Sequence, residues 1–389
     1  MDEVILSKGR DRSVRRRHPW VLSGSVARVE GSPGPGDTVG VRSAEGERLG
    51  FGHYSPQSQI RVRLLGFGKE APDEGLLVER VRSAVERRRS DPLLFGTDAI
   101  RLVNAEGDGL PGLVVDRYAE CVVMRCSSAG MVARAALLAA ALRDATGVRT
   151  GVRRDDSVAA RREGFEARQE VLFGEAPEGP IAIDERGRRY LVDVLHGQKT
   201  GFYLDQRDAR DLVERLARGR RVLDLFSYTG GFSVAAARGG ASEISLVDSS
   251  AGALAVAARH LEPVAGEIAI RSVEADGFRF LRTDPGMYDL LVLDPPPLAK
   301  RRGDVAHASR AYKDLVLHAL GRAAPGAFLL AFSCSHAIDP VLFRQIVFGA
   351  SLDAGRSPQV LAALGPPSDH PVSIDHPEGA YLGGLLLRA

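Results

Sequence analysis

Polar side chains stand near the carboxyl ends of five successive predicted strands in the C-terminal half of the chain. These strands end close to Asp224, Asp248, Asp276, Asp294 and Cys334. Because parallel α/β sheets bind ligands beyond the carboxyl ends of their strands, the five side chains are expected at one edge of one sheet. A single acid at such a position is more often a helix N-cap or a turn residue. Five in succession indicate a binding site.

A glycine-rich turn begins at the first of these strand ends. Residues 224–232 read Asp-Leu-Phe-Ser-Tyr-Thr-Gly-Gly-Phe and lie between an apolar run and a helix of small residues. That order is typical of the first unit of a nucleotide-binding α/β sheet. A carboxylate at its start would repel a pyrophosphate, but it suits the cationic amino-acid end of S-adenosylmethionine. Asp224 therefore favours a methyl donor over a dinucleotide.

A cysteine follows the fifth of these strands. Cys334 lies just past the apolar run 327–332, among polar neighbours, so a nucleophile and a core thiol are about equally consistent with the pattern. Addition of a thiolate to carbon-6 of cytosine would make carbon-5 nucleophilic, and an acid contacting N3 would stabilise the adduct. Cys334 and Asp294 fit these two roles as a pair.

A proline run follows the fourth strand end, with the sequence Asp294-Pro-Pro-Pro-Leu298. Prolines stiffen the backbone, so the acid and the carbonyl groups near it would be fixed acceptors for the amino edge of a nucleobase. The alternative is a loop that only terminates the strand. Pro297 and Leu298 occupy the place where an aromatic residue would stack a base, which argues against methylation of an exocyclic amino group.

Composition limits the class of protein. The chain has 389 residues, which predicts two or three domains, and its formal net charge is only +2. Three cysteines do not make a disulfide framework, so a reducing cytoplasm is expected. No apolar run approaches membrane-spanning length and no signal peptide is evident, so no membrane association is expected.

The chain divides into three predicted domains. Residues 1–70 form a small β domain of short strands between Gly and Pro turns, and residues 74–185 form an α+β domain. From residue 186 to 389, strands and helices alternate, which predicts an α/β fold with a mostly parallel sheet of about seven strands covered on both faces.

The N-terminal segment is basic. Residues 1–28 hold seven basic residues against three acids, a local net charge of +4. A solvated face and a phosphate-contacting patch are about equally consistent with this run alone.

The motifs together resemble the RlmI-type bacterial 23S ribosomal RNA cytosine-carbon-5 methyltransferases, over nearly the whole chain. The segments that carry the resemblance are 199–207, 224–232, Asp294-Pro-Pro296, Tyr312-Lys-Asp314, Phe332-Ser-Cys-Ser335, Asp369-His-Pro-Val372 and Pro377-Glu-Gly379. The resemblance implies an N-terminal PUA domain, which is an RNA-binding β-barrel, and a C-terminal class I (Rossmann-like) S-adenosylmethionine domain. It also implies that the basic segment contacts RNA.

The resemblance assigns residues to roles. Cys334 would be the nucleophile and Asp294 the acid that binds the base. The implied cofactor-binding residues are Tyr203, Gln206, Asp224, Phe226, Ser227, Tyr228, Thr229, Gly230, Asp248, Ser249, Asp276, Gly277 and Asp294. The implied substrate-binding residues are Lys8, Arg10, Arg15, Arg16, Arg17, Lys199, Arg207, Pro295 and Pro296. For Arg207, the alternative is a solvated residue at a helix start.

The expected partner is ribosomal RNA, and no metal is expected. The oligomeric state is left open, and a homodimer is one possibility.

Many relatives carry Lys and Phe after the paired prolines, where this chain has Pro297 and Leu298. Two rival functions remain: methylation of another base atom, such as guanine N7, and RNA binding without catalysis in ribosome assembly. A protein or small-molecule methyltransferase would leave the basic β domain unexplained.

Overall fold

The computed structural model describes residues 1–68, 70–71, 73, 75–299 and 301–389. Residue 74, where the α+β domain is predicted to begin, lies outside the described residues. The chain separates into two compact units. The first comprises Met1–Gly187, Val192–Leu204 and Ser368–Gly379, and the second comprises Arg188–Leu191, Asp205–Pro367 and Ala380–Ala389.

The first unit begins with a six-stranded sheet in the order β2-β6-β5-β4-β1-β3. Its elements are β1 (Glu3–Leu6), α1 (Arg12–Arg15), β2 (Trp20–Leu22), β3 (Val26–Glu30), β4 (Thr38–Arg42), β5 (Arg48–Tyr54) and β6 (Ile60–Phe67). Alternate apolar residues of these strands, among them Val4, Leu6, Val39, Val41 and Val62, pack into one buried cluster. The apolar segments of this β domain therefore close around their own small core.

The second part of the first unit is an α+β layer with the strand order β11-β10-β9-β8-β7. Its elements are α2 (Gly75–Arg89), β7 (Ala99–Asn104), β8 (Leu113–Tyr118), β9 (Cys121–Cys126), α3 (Ala129–Ala133), α4 (Ala135–Thr146), β10 (Thr150–Arg154), α5 (Ser157–Glu163), β11 (Gln169–Phe173) and β12 (Ile181–Glu185). Cys121 and Cys126 are buried, and burial raises the pKa of each thiol to about 12. Both are core thiols, as their positions in an apolar strand predict.

The composition of the run after β9 predicts one alanine-rich helix from Met131 to Ala145, but the structure has two helices there, α3 and α4. The break is at Arg134, whose backbone leaves helical geometry at φ −110° and ψ 15°. Its guanidinium donates to the carbonyl of Gly36 at 2.8 Å and to the Thr38 hydroxyl at 3.1 Å. The break between α3 and α4 therefore coincides with contacts to residues distant in sequence, which local helix propensity does not encode.

Most of the second unit is a seven-stranded sheet in the order β16-β15-β14-β17-β18-β20-β19. The remaining elements of the chain are β13 (Arg188–Val192), α6 (Arg207–Leu216), β14 (Arg221–Leu225), α7 (Gly231–Arg238), β15 (Glu243–Asp248), α8 (Ala251–Leu261), β16 (Ala269–Glu274), α9 (Gly277–Thr283), β17 (Tyr288–Leu293), α10 (Val305–Arg322), β18 (Ala323–Ser333), α11 (Pro340–Asp353), β19 (Gln359–Leu364) and β20 (Gly383–Arg388). Strands β14 to β18 pair in parallel, and β20 runs antiparallel to β18 and β19.

The faces of this sheet are buried in two separate clusters. Leu223 and Leu225 of β14 pack in one cluster, and Val222 packs in the other, because successive strand residues point to opposite faces. The predicted α/β class, with a parallel sheet covered on both faces, is confirmed. Among the described residues, no helix combines the length and the apolar content needed to cross a membrane.

The segment Ser368–Gly379 belongs to the first unit, although it lies between strands of the second. The Asp369 carboxylate accepts from the backbone N–H of Arg101 at 2.9 Å. The buried guanidinium of Arg88 donates to the Asp369 carbonyl at 2.9 Å. The ring of His376 lies 4.4 Å from that of Trp20. The contacts of Asp369 give the first C-terminal motif of the resemblance a structural role in the first unit, and His376 directly precedes the second motif.

Candidate active site

The sheet order of the second unit brings the five polar strand ends side by side. Strands β16, β15, β14, β17 and β18 are consecutive neighbours and all run in one direction. Asp276, Asp248, Asp224, Asp294 and Cys334 therefore follow one another along a single sheet edge. This edge is the expected ligand side of such a sheet.

Asp224 is almost fully buried, at 1 % exposure. Its Oδ2 accepts from the backbone N–H of Ser233 at 2.9 Å and from the Ser233 hydroxyl at 2.7 Å. Its Oδ1 is buried and accepts no hydrogen bond from the described residues. Burial, opposed by the bonds to Ser233, raises the pKa of this carboxyl to about 6. An unfilled acceptor in a buried carboxylate can be satisfied by a cationic ligand.

The loop after Asp224 is held in a strained path. Phe226, Tyr228 and Gly230 have φ angles of 64°, 47° and 75°, and only the last is a glycine. A Cβ at Gly230 would lie 2.9 Å from the Cβ of Ala257, so a larger residue would not fit against α8. Left-handed backbone at non-glycine residues is costly and clusters at ligand-binding loops.

Asp248 holds the same loop from the neighbouring strand. Its Oδ2 accepts from the backbone N–H of Tyr228 at 2.8 Å, and its Oδ1 accepts from that of Ser250 at 2.9 Å. Ser249 is exposed beside it. Each carboxylate oxygen retains a second lone pair, so Asp248 can fix the loop and also accept from a ribose hydroxyl.

The third acid, Asp276, caps α9 by accepting from the backbone N–H of Arg279 at 2.9 Å. Its side chain thus has the role that a lone acid at a strand end usually has. Gly277 is buried, and a Cβ there would meet the Phe226 ring at 2.7 Å. The glycine therefore permits a close approach between α9 and the loop after Asp224.

Sequence reasoning missed a buried histidine behind this loop. His260 of α8 accepts from the backbone N–H of Leu191 through Nε2 at 2.7 Å and donates from Nδ1 to the carbonyl of Thr229 at 2.8 Å. Burial lowers the pKa of the imidazole, which keeps the neutral form that both bonds require. The Tyr190 hydroxyl adds a bond to the Gly231 carbonyl at 3.1 Å.

Cys334 follows the last residue of β18 and is partly exposed, unlike the two cysteines of the first unit. Its Sγ–H donates to the carbonyl of Pro295 at 3.4 Å. Asp294 precedes that proline, directly after β17, and is also partly exposed. The thiol and the proline run therefore meet at the carboxyl ends of two paired strands.

The serines on either side of Cys334 tie it to the proline run. The hydroxyl oxygen of Ser335 accepts from the backbone N–H groups of Leu298 at 3.0 Å and Ala299 at 3.1 Å. The Tyr312 hydroxyl lies 3.0 Å from that oxygen and accepts from the Ser333 hydroxyl at 3.2 Å. The two prolines after Pro295 are exposed. This buried network fixes the loop that carries Asp294 relative to the cysteine.

The predicted residues of the segment 199–207 divide between the two units. In the first unit, the Lys199 ammonium lies 4.1 Å from the centre of the Tyr203 ring, and the Tyr203 hydroxyl donates to Gln198 at 2.6 Å. In the second unit, Gln206 is buried and Arg207 has no exposed surface. A solvated Arg207 is therefore wrong, and its contact with substrate stays a prediction.

The predicted basic residues of the N-terminal sheet are all exposed. Arg15 is ion-paired with Asp11 at 2.6 Å and Glu47 at 2.5 Å. Arg10 and Arg16 line a groove of about 760 Å³. Arg12 also lines this groove, although it is not among the predicted substrate-binding residues. Lys8 and Arg17 do not line this groove. The contact of all these residues with RNA stays a prediction.

Two families match the chain in sequence. Residues 4–67 match a PUA-like domain, and residues 147–357 match an S-adenosylmethionine-dependent methyltransferase. Two solved structures share the fold over the full length of both chains. One is a candidate methyltransferase in complex with SAH, with a TM-score of 0.86 and 22% identity. The other is a candidate SAM-dependent methyltransferase from Streptococcus mutans, with a TM-score of 0.84 and 23% identity.

The full-length relatives decide the family. The protein named ribosomal RNA large subunit methyltransferase I in Aeromonas salmonicida is 42% identical over 393 residues, covering 99% of each chain. The protein of that name in Escherichia coli O139:H28 is 39% identical and covers 99% of this chain and 98% of its own. The chain belongs to the ribosomal RNA large subunit methyltransferase I family. As a member of this methyltransferase I family, it is a SAM-dependent methyltransferase with a PUA-like N-terminal domain.

The residues along the sheet edge fit S-adenosylmethionine, the cofactor of this methyltransferase I family. The buried Oδ1 of Asp224 and the buried hydroxyl of Ser227 are both left without a hydrogen-bond partner by the described residues. A ligand that carries an ammonium group and several hydroxyls can satisfy such atoms. Asp224, Ser227 and Asp248 would hold the cofactor, which supplies an electrophilic methyl group when it is bound.

Replacing His260 with Ala should weaken donor binding about tenfold, because the Thr229 carbonyl and the Leu191 N–H each lose a buried partner. Affinity for RNA should not change. Calorimetry with S-adenosylmethionine measures the first effect, and fluorescence anisotropy with labelled RNA measures the second. As a matched control, Tyr190→Phe removes one weaker bond to the same loop and should have a smaller effect. Wild-type donor affinity in a folded His260→Ala protein would contradict the positioning role.

Proposed function

We propose that the protein forms 5-methylcytosine in large-subunit ribosomal RNA, through a covalent bond between Cys334 and carbon-6 of the target cytosine. The observation that carries this proposal is the position of the thiol. Cys334 is partly exposed at the edge of the sheet that carries the acids, and its sulfur lies 3.4 Å from the carbonyl oxygen of Pro295. The target base would have to leave its stack to reach that sulfur.

The proposed reaction gives one task to Cys334 and another to Asp294. The Cys334 thiolate adds to carbon-6. The electrons of the double bond between carbon-5 and carbon-6 then move through the ring toward N3 and the carbonyl oxygen. Asp294, in its acid form, stabilises the adduct by donating a hydrogen bond to N3. Carbon-5 takes the methyl group from the bound donor, whose sulfonium sulfur leaves as a neutral thioether, and carbon-5 then loses its proton to a base. The electrons of the broken carbon-5–hydrogen bond restore the double bond between carbon-5 and carbon-6 and expel the Cys334 thiolate.

Two features support a rigid site for this chemistry. The Ser335 hydroxyl accepts from the backbone of Leu298 and Ala299, and the Cys334 thiol donates to the Pro295 carbonyl, so the run 294–298 is held near both ends. The Pro295 carbonyl accepts from the thiol, which orients the sulfur before it is ionised. Preorganised reacting groups lower the barrier because their orientation is already fixed.

Ribosomal RNA is the proposed substrate because the full-length relatives carry that substrate in their names. The PUA-like domain and its groove lined by Arg10, Arg12 and Arg16 support RNA binding from this chain's own residues. Basic side chains of this kind contact phosphates, and sequence selection would come from single-stranded bases. Methylation of another base atom, such as guanine N7, would give Cys334 no role.

The test is the identity of the methylated nucleoside. The protein is incubated with labelled S-adenosylmethionine and total ribosomal RNA from cells that lack it, the RNA is digested, and nucleosides are identified by mass spectrometry. Label in 5-methylcytidine from the large-subunit RNA is the expected result. Label in 7-methylguanosine would contradict the proposed reaction and would favour methylation of guanine N7. Absence of both donor binding and transfer would favour an RNA-binding assembly factor.

A further inference from the structure

A basic cavity of about 500 Å³ lies in the first unit, at one end of the five-stranded sheet. Arg125 comes from β9, Arg154 from the end of β10 and Arg168 from the residue before β11. Lys199 lines the cavity as well. Two strands and two loops therefore direct four cationic side chains to one concave surface.

The acids in this cavity are already engaged. Asp155 has no exposed side-chain surface and accepts from the Arg153 guanidinium at 2.5 Å. Asp156 caps α5 by accepting from the backbone N–H groups of Val158 at 2.9 Å and Ala159 at 2.7 Å, and it also accepts from Arg125. The carboxylates therefore build the walls of the cavity and fix its shape.

The remaining cations are held toward the cavity or lie open to it. Arg154 donates to the carbonyls of Val194 and Gly197, both at 2.9 Å, which anchors the loop that leads to Lys199. Arg168 is exposed, and across the described ranges its guanidinium makes no hydrogen bond or ion pair with another residue. A preformed cationic hollow with an uncommitted guanidinium suits an oxyanion, and a phosphodiester is the oxyanion that RNA presents in series.

We propose that this cavity binds the phosphate backbone of the RNA substrate through Arg168 and Lys199. The inference rests on the proposed function, and it adds a contact outside the PUA-like domain and outside the catalytic edge. The cavity is lined mainly by charged and polar groups, with one alanine, so it does not fit an apolar small molecule. Phosphate contacts of this kind set the register of the RNA and do not read its sequence.

The test compares Arg168→Glu with Arg143→Glu. Both residues are exposed arginines of the same unit, and Arg143 lies on α4 outside the cavity. Binding of a fluorescently labelled large-subunit ribosomal RNA transcript is measured by anisotropy over a salt series. Arg168→Glu should bind about tenfold more weakly at low salt, and its log–log salt slope should fall by about one. Arg143→Glu should stay within about twofold of the wild type, and Arg168→Lys should restore binding.

The outcomes separate this inference from the proposed function. Donor affinity should be the same in all variants, because the donor-binding residues are unchanged. If the wild type binds and methylates RNA but Arg168→Glu matches Arg143→Glu in affinity and slope, the cavity is not a phosphate site. If the wild type itself does not bind the RNA, the proposed function fails. Arg168→Ala gives the same comparison should the charge reversal disturb folding.

Discussion

Replacing Cys334 with Ala should lower methyl transfer to ribosomal RNA by at least about 10³-fold, because carbon-5 of cytosine then lacks the adduct that makes it nucleophilic. The change removes one partly exposed sulfur at the end of β18, so the sheet should remain folded. Transfer of a labelled methyl group to the RNA under single-turnover conditions measures the effect.

The matched control for this prediction is Cys334→Ser, which preserves the size of the side chain. A serine hydroxyl is far less acidic than a thiol, so this variant should be nearly as inactive as Cys334→Ala. Both variants should bind S-adenosylmethionine and RNA with affinities within about twofold of the wild type. Unchanged turnover in either variant would show that the thiol takes no part in the reaction, and would favour a base atom that needs no covalent adduct.

Donor affinity should fall about tenfold between pH 7 and pH 5, because Asp224 must be ionised to hold the cationic end of the donor. Burial raises the pKa of this carboxyl to about 6 in the free protein. At pH 5 most molecules therefore carry a neutral Asp224, which must lose its proton before the donor binds. Calorimetry at the two pH values gives the ratio of dissociation constants.

The raised pKa of Asp224 also makes the free energy of unfolding depend on pH. An acid with a raised pKa favours the protonated folded state, so its contribution to the free energy of unfolding is fully present below its unfolded pKa and is lost as the pH rises through about 6. The bound donor offsets that loss by pairing with the carboxylate. The rise in melting temperature on adding the donor should therefore be larger at pH 7 than at pH 5.

The variant Asp224→Asn isolates this carboxyl. It should bind the donor about 10–100-fold more weakly than the wild type at pH 7, with little further change at pH 5. Asp276→Asn alters an exposed acid that caps α9, and it should keep the wild-type pH dependence. A wild-type protein whose donor affinity is flat between the two pH values would contradict the assigned role of Asp224.

The sequence predicts the architecture of the methyltransferase sheet closely because each strand carries a strong local signal. The residue pattern predicts strands at Arg221–Leu225, Glu243–Asp248 and Gln359–Leu364 and a helix at Ala251–Leu261, and the structure has these four elements with the same bounds. Apolar runs closed by polar residues are local features, so they can be recognised in one chain. The positions of the strand ends that form the candidate site follow directly from these strand bounds.

Features that depend on distant partners are not predictable in this way. His260 reads as one more residue of an alanine-rich helix, and its two bonds to Leu191 and Thr229 exist only in the folded unit. The role of Ser335 requires the backbone of Leu298, which is far from it in the chain. The cavity around Arg168 needs strands that are brought together by the central sheet.

The position of the segment Ser368–Gly379 shows the same limit. Its place in the sequence, between β19 and β20, suggests a loop of the methyltransferase sheet. The contacts of Asp369 with Arg88 and Arg101 instead place it in the first unit. No periodic pattern encodes such contacts, because each depends on a single polar pair.

The most direct test of the proposed chemistry is the capture of the adduct. A large-subunit ribosomal RNA transcript containing 5-fluorocytidine is incubated with the protein and S-adenosylmethionine, then digested with nuclease and protease for mass spectrometry. Fluorine cannot leave carbon-5 as a proton does, so the sulfur–carbon bond should persist after methyl transfer. We expect a nucleotide-linked peptide that contains Cys334. An unmodified Cys334 peptide alongside RNA methylated at another base atom would contradict the account.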